Sequence, residues 1–88
     1  MNKEKRNGEN SGDDIFTTYD LGLSTALLTV GYKLQNLDRS NGRRVLFVFE
    51  HKKGIEIASN RFFSDDLKVK ARSYFDNLKA IKTKLYSD

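Results

Sequence analysis

The stretch Tyr32-Lys-Leu-Gln-Asn-Leu-Asp38, Arg39-Ser-Asn-Gly-Arg-Arg44, Val45-Leu-Phe-Val-Phe-Glu50 decides the fold. Its two outer parts are rich in apolar and aromatic residues and read as strands, Tyr32 to Asp38 and Arg44 to Glu50. Between them Asn41-Gly42 is the strongest short hairpin signal in the chain, since both residues tolerate positive φ in a tight type I′ turn. With that pair at the turn centre, Leu34 faces Phe49 and Asn36 faces Phe47 on one side of the ribbon. Lys33 faces Glu50, Gln35 faces Val48, Leu37 faces Leu46 and Arg39 faces Arg44 on the other. Each assignment changes face if the register slips by one residue. Val45 to Phe49 is apolar on both faces, so this strand is expected in the interior, or with its second face against something else. Val45, Phe47, Phe49 and Leu34 carry the larger side chains and are expected to meet the helices.

Working outward, Ile15-Phe-Thr-Thr-Tyr19 reads as a short strand whose pairing position the pattern does not fix. Asp20 is placed as an N-cap, and Leu21 to Val30 as a helix with Leu23, Ala26, Leu27 and Val30 on its apolar stripe. Gly31 sits where a C′ glycine ends a helix. Gly22 costs that helix about 1 kcal/mol against Ala. After Lys52-Lys53-Gly54, Ile55-Glu-Ile57 alternates like a strand, but Ile55, Ala58 and Phe62 fit one helical face, and a short helix is favoured. Ser64-Asp65-Asp66 is a break, and Leu67-Lys-Val69 reads as a short edge strand. Ala71, Tyr74, Phe75, Leu78, Ile81, Lys82 and Leu85 then recur at helical spacing through Tyr86, with Lys82 the one polar member of the stripe, its stem able to lie on apolar surface. The architecture expected is α+β, in the order β-α-β-β-(α)-α, with one antiparallel hairpin and the helices packed on one sheet face.

The chain has 88 residues, room for one domain. Residues 1–14, MNKEKRNGENSGDD, lack large apolar residues after Met1 and are expected to form a disordered tail, leaving residues 15–88 as the domain. The tail holds three basic and four acidic groups, the body 13 and 8, so the basic excess belongs to the folded part. A body of this size is near the lower limit for a self-sufficient core, and a dimer or bound partner would supply what is missing. Without cysteine there is no disulfide scaffold, thiol nucleophile or cysteine zinc site. No run reaches the roughly 18 apolar residues of a membrane span, and no basic start leads into an apolar stretch as in a secretory signal. A cytoplasmic setting is expected.

Phe16-Thr-Thr-Tyr-Asp-Leu21, Ala26, Val30-Gly-Tyr-Lys-Leu34, Asn41-Gly-Arg43 and Val45-Leu-Phe-Val-Phe-Glu50 resemble a family of small bacterial and phage-encoded domains of unknown function. Tyr74-Phe75, Leu78-Lys79, Lys82 and Leu85-Tyr86 extend the resemblance to about residues 15–87. It implies the same order of elements and a bacterial or mobile-element setting. It implies no activity and no functional residues.

The residues offer little for catalysis. His51 is the single histidine and stands at a strand end, where exposed or capping roles are usual. Asp13-Asp14 falls in the tail, and Asp65-Asp66 sits beside Ser64 where turns and caps belong. Neither pair has a third ligand at metal-binding spacing, and no glycine loop leads into Lys-Ser/Thr. No catalytic residue, metal, cofactor or small-molecule substrate is assigned. The basic residues gather as Arg39, Arg43 and Arg44 at the hairpin tip, Lys52 and Lys53 at the other end of the third strand, Lys68, Lys70 and Arg72 around the start of the last helix, and Lys79, Lys82 and Lys84 towards its end. Such clusters favour phosphates without reading sequence, and Tyr32, Phe62, Phe63 or Tyr86 could stack on bases. Solvation and the helix dipole account for much of the same pattern. Leu37, Leu46 and Val48 on the second ribbon face form an apolar patch between charged ends, the mark of a protein interface unless another element covers them. The reading preferred from sequence is a small non-enzymatic binding module with a protein partner or a second copy of itself. The alternative is a nucleic-acid-binding protein using the hairpin arginines and the C-terminal lysines. A membrane-surface role for the last helix is set aside, because its apolar stripe is needed by the core.

Overall fold

A computed structural model describes residues 14–87. The elements run β1 (Ile15–Thr18), α1 (Leu21–Thr29), β2 (Leu34–Asp38), β3 (Leu46–Glu50), α2 (Ile55–Phe63) and α3 (Ala71–Tyr86). The three strands form one antiparallel sheet in the order β1-β3-β2. The α+β order expected from sequence is the order found. The tail expected over residues 1–14 lies, apart from Asp14, outside the described residues.

β3 is the central strand of the sheet, with one face on the core and the other half-buried. It is flanked by β1, in the register Ile15 to Glu50 and Thr18 to Phe47, and by β2. Phe47 and Phe49 point into the core and are almost completely buried. There they join Leu23 and Leu27 of α1, Ile55 and Ala58 of α2, and Ile81 of α3. Leu46 and Val48, on the opposite face, are half-buried.

The hairpin departs from the tight turn expected. Lys33 and Leu34 do sit opposite Glu50 and Phe49. A bulge between Leu34 and Asn36 then shifts the register by one. Asn36 pairs with Val48, Leu37 with Phe47 and Asp38 with Leu46, correcting the expected pairs of Asn36 with Phe47 and Leu37 with Leu46. The physical reason lies in the spacing of the two leucines. Leu34 and Leu37 are three apart, so a regular strand would put them on opposite faces. One extra residue lets both pack against the core and leaves polar Asn36 opposite Val48. The link from Asp38 to Leu46 is therefore a seven-residue loop. Inside it the Gly42 amide donates to the Arg39 carbonyl at 3.0 Å, and only Gly42 of the Asn41-Gly42 pair has positive φ. Both strands are accordingly shorter than expected, beginning at Leu34 and Leu46.

α1 is held on three sides. Asp20 caps it, its Oδ1 accepting from the Leu23 amide at 2.7 Å. Leu23 to Leu27 are all buried, including Ser24 and Thr25, whose hydroxyls donate back to the carbonyls of Asp20 and Leu21. Gly31, at φ +110°, ends the helix with a paired closure: its amide donates to Leu28 and the Tyr32 amide to Leu27. Val30, expected on the apolar stripe, turns outward and is 39% exposed, because it is the cap residue where the chain leaves the helix. Gly22 is the point of close approach to α2, since a Cβ there would stand 3.2 Å from the Phe62 ring. α2 closes in the same manner as α1, with Asp65 at φ 62° and the amides of Asp65 and Asp66 donating to Phe62 and Arg61. Leu67-Lys-Val69 forms no strand; it is an extended link, and Leu67 packs on the core. No helix among the described residues is long and apolar enough to cross a membrane.

Candidate anion-binding cleft

The shifted hairpin turns its seven-residue loop towards the end of α3. Arg39 Nη2 donates to the carbonyls of Lys84 and Leu85 at 3.2 and 3.3 Å, satisfying two of the last acceptors of that helix. Asp38 Oδ1 accepts from the Ser40 amide at 2.9 Å and stiffens the entry to the loop. This bond holds the Asp38 carboxyl below its ordinary value. On the exit side Arg44 lies over the Tyr19 ring with its guanidinium carbon 3.8 Å from the centroid. Asn41 Nδ2 reaches the Tyr19 hydroxyl at 3.4 Å. Tyr19, in the short link from β1 to α1, thus anchors the loop.

These contacts outline an open cleft of about 500 Å³ lined by Tyr19, Arg39, Arg43, Arg44, Leu85 and Tyr86, with Leu21, Gly42, Val45 and Phe47 completing its wall. Three of its lining residues are arginines and none is acidic. Their roles differ. Arg39 is engaged with α3. Arg44 is held over the face of Tyr19 in a cation–π contact, which leaves its N–H groups without a hydrogen-bond partner among the described residues. Arg43 has no side-chain partner among the described residues. Tyr86, 80% exposed, forms one rim. A concave surface with pre-set cations, aromatic faces and no carboxylate suits an anion that carries flat apolar parts.

The sequence reading brought Arg39, Arg43 and Arg44 together, and the structure gathers them around this one cleft. It separates Leu37, Leu46 and Val48. Leu37 packs against the core beside Phe47, while Leu46 and Val48 lie on the outer sheet face with Asn36. The stacking candidates also divide. Tyr32 is half-buried with its hydroxyl donating to the Lys53 carbonyl, and Phe62 packs on the core with its ring edge-on to Phe63. Only Tyr86 of those four lines the cleft. Tyr19 was not foreseen. Its place between the end of β1 and the N-cap of α1 carries no local signal of this contact.

His51 lies at the opposite end of β3. Its Nε2 is 2.7 Å from Glu56 Oε2, a contact that ties the strand exit to the first turn of α2. Lys52 pairs with Glu50 at 3.6 Å there. Asp66 faces Arg61 within the turn after α2, and Asp13 falls outside the described residues. Among the described residues no three His, Cys, Asp or Glu side chains are grouped to hold a metal ion.

Residues 13–87 match a family model described as Domain of unknown function (DUF5659). No curated protein and no solved structure matches the chain.

Proposed function

The chain belongs to the DUF5659 family, and from the geometry of its cleft we propose that it is a small binding module, without chemistry of its own, that holds the phosphate backbone of a nucleic acid between the β2–β3 loop and the end of α3. The observation that carries this reading is the convergence of Arg43, Arg44 and Tyr86 on one acid-free cleft, with Arg39 and Tyr19 fixing the loop that presents them. A loop fastened before binding loses little entropy when the ligand arrives. The positive charge of the folded part adds long-range attraction. This reading favours nucleic acid over the protein partner suggested by Leu37, Leu46 and Val48, because those three side chains do not share a surface. We place the protein in the cytoplasm, where nucleic acid is at hand.

The test is fluorescence anisotropy with a labelled 12-nucleotide strand at two salt concentrations. Affinity is expected to fall steeply from about 50 to 200 mM salt, and Arg43→Ala with Arg44→Ala is expected to lessen the salt slope by about 1.4, at about 0.7 per phosphate contact on a single strand. Binding that ignores salt, or that the double variant leaves unchanged, contradicts the reading.

A further inference from the structure

The outer face of α3 carries side chains that the core does not use. Phe75, Lys79, Lys82 and Tyr86 are all exposed. At 100° per residue they fall within about 60° of one another, so they form one stripe running along the helix. Its ends are aromatic and its middle is cationic. Phe75 is 54% exposed and Tyr86 80%, so both rings are open to a ligand. Lys79 Nζ already rests 5.2 Å from the Phe75 centroid. The one acidic residue of α3, Asp76, is engaged by Arg72 Nε at 3.3 Å. Tyr86 belongs both to this stripe and to the arginine cleft, so the two surfaces are continuous.

We propose that the stripe carries a single strand of nucleic acid out of the cleft, with Phe75 and Tyr86 stacking on bases and Lys79 and Lys82 meeting the phosphates between them. This rests on the reading of the cleft as a phosphate site and names the form of nucleic acid it takes. The choice of a single strand follows from the rings. Exposed aromatic faces gain from bases only where those bases are free of their own stack, and a duplex covers its base faces. The charge matches the backbone, since the cations stand between the rings as phosphates stand between bases. From Phe75 to Tyr86 the helix advances about 16 Å, which is about five nucleotides at the roughly 3.4 Å spacing of a stacked strand.

The experiment titrates the full chain into labelled dT12, rU12, a 12-base-pair duplex and poly-glutamate. Single strands are expected to bind more tightly than the duplex and poly-glutamate, with dT12 against rU12 reporting whether the strand is DNA or RNA. Phe75→Ala and Tyr86→Ala are each expected to weaken single-strand binding about tenfold with the salt slope unchanged. Phe75→Trp should retain it. Lys79→Gln with Lys82→Gln should instead lower the slope by about 1.4. All these positions are exposed, and circular dichroism verifies that the variants fold. If Arg43→Ala with Arg44→Ala abolishes binding but the aromatic variants bind like the wild type, the stripe is wrong and the cleft stands. Equal or tighter binding of the duplex also overturns the stripe alone. If the wild type binds none of the nucleic acids, or binds poly-glutamate as tightly, the cleft reading fails and takes the stripe with it.

Discussion

Arg39, Arg43 and Arg44 lie within six positions of one another, yet their surroundings give them three separate tasks. Arg39 satisfies carbonyls at the end of α3, Arg44 lies over the Tyr19 ring, and Arg43 faces the cleft without a partner among the described residues. Arg39→Ala is therefore expected to lower stability by about 1 kcal/mol in urea unfolding, through the lost helix-end bonds. Arg43→Ala is expected to stay within about 0.5 kcal/mol of the wild type while weakening nucleic-acid binding. Equal stability losses at the two positions would contradict the division. The clustering of these arginines was legible in the sequence because they lie close together in the link between two strands, whatever its length. Their division of tasks was not, because it depends on α3 ending beside the loop, 45 residues further along the chain.

At the scale of elements, the caps were readable and the register was not. Asp20 and Gly31 are local signals: each acts on amides or carbonyls within a few residues, and both stand where the sequence placed them. A Cβ on Gly31 would meet nothing within 4 Å, so its substitution tests backbone conformation alone. Gly31→Ala is expected to cost about 1–2 kcal/mol, measured by denaturant midpoint, and no loss would contradict the closure described for α1. The hairpin register is set by the three-residue spacing of Leu34 and Leu37 and not by Asn41-Gly42. Burying both leucines outweighs a tight turn, and a bulge is the means. The link from β3 to α2 makes a pH prediction. The bond from His51 holds the Glu56 carboxyl below its ordinary 4.5. With the lower value in the folded state, its contribution is complete above about 4.5 and disappears as pH falls through the folded-state value. The melting-temperature gap between wild type and Glu56→Gln is expected at about pH 6 and should close in more acidic solution. A gap that persists unchanged at low pH would contradict it.

For the whole molecule, the α+β order was legible because the hairpin strands and the first and last helices carry clear periods, whereas the segments Ile55-Glu-Ile57 and Leu67-Lys-Val69 also fit a strand pattern that the structure does not contain. The partnership of β1 with β3 was not, since a four-residue strand carries too little pattern to choose its neighbour. That pairing matters for the proposed site. It brings Tyr19, just after β1, beside the loop that precedes β3, and so builds one wall of the cleft. The outer aromatic stripe escaped the sequence reading for a related reason. Phe75 fits the apolar helical spacing as well as Leu78 does, and only the packed helix separates the face it buries from the face it shows. The central claim is that a nucleic-acid strand sits where the loop and α3 meet. The most direct measurement is a two-dimensional NMR titration of the labelled chain with dT12. The account predicts that amide shifts concentrate at Tyr19, at residues 39–45 and along α3 from Phe75 to Tyr86, with Ile57 and Phe63 on α2 unmoved. Shifts confined to α2 or the outer sheet face, or none at saturating strand, would contradict it.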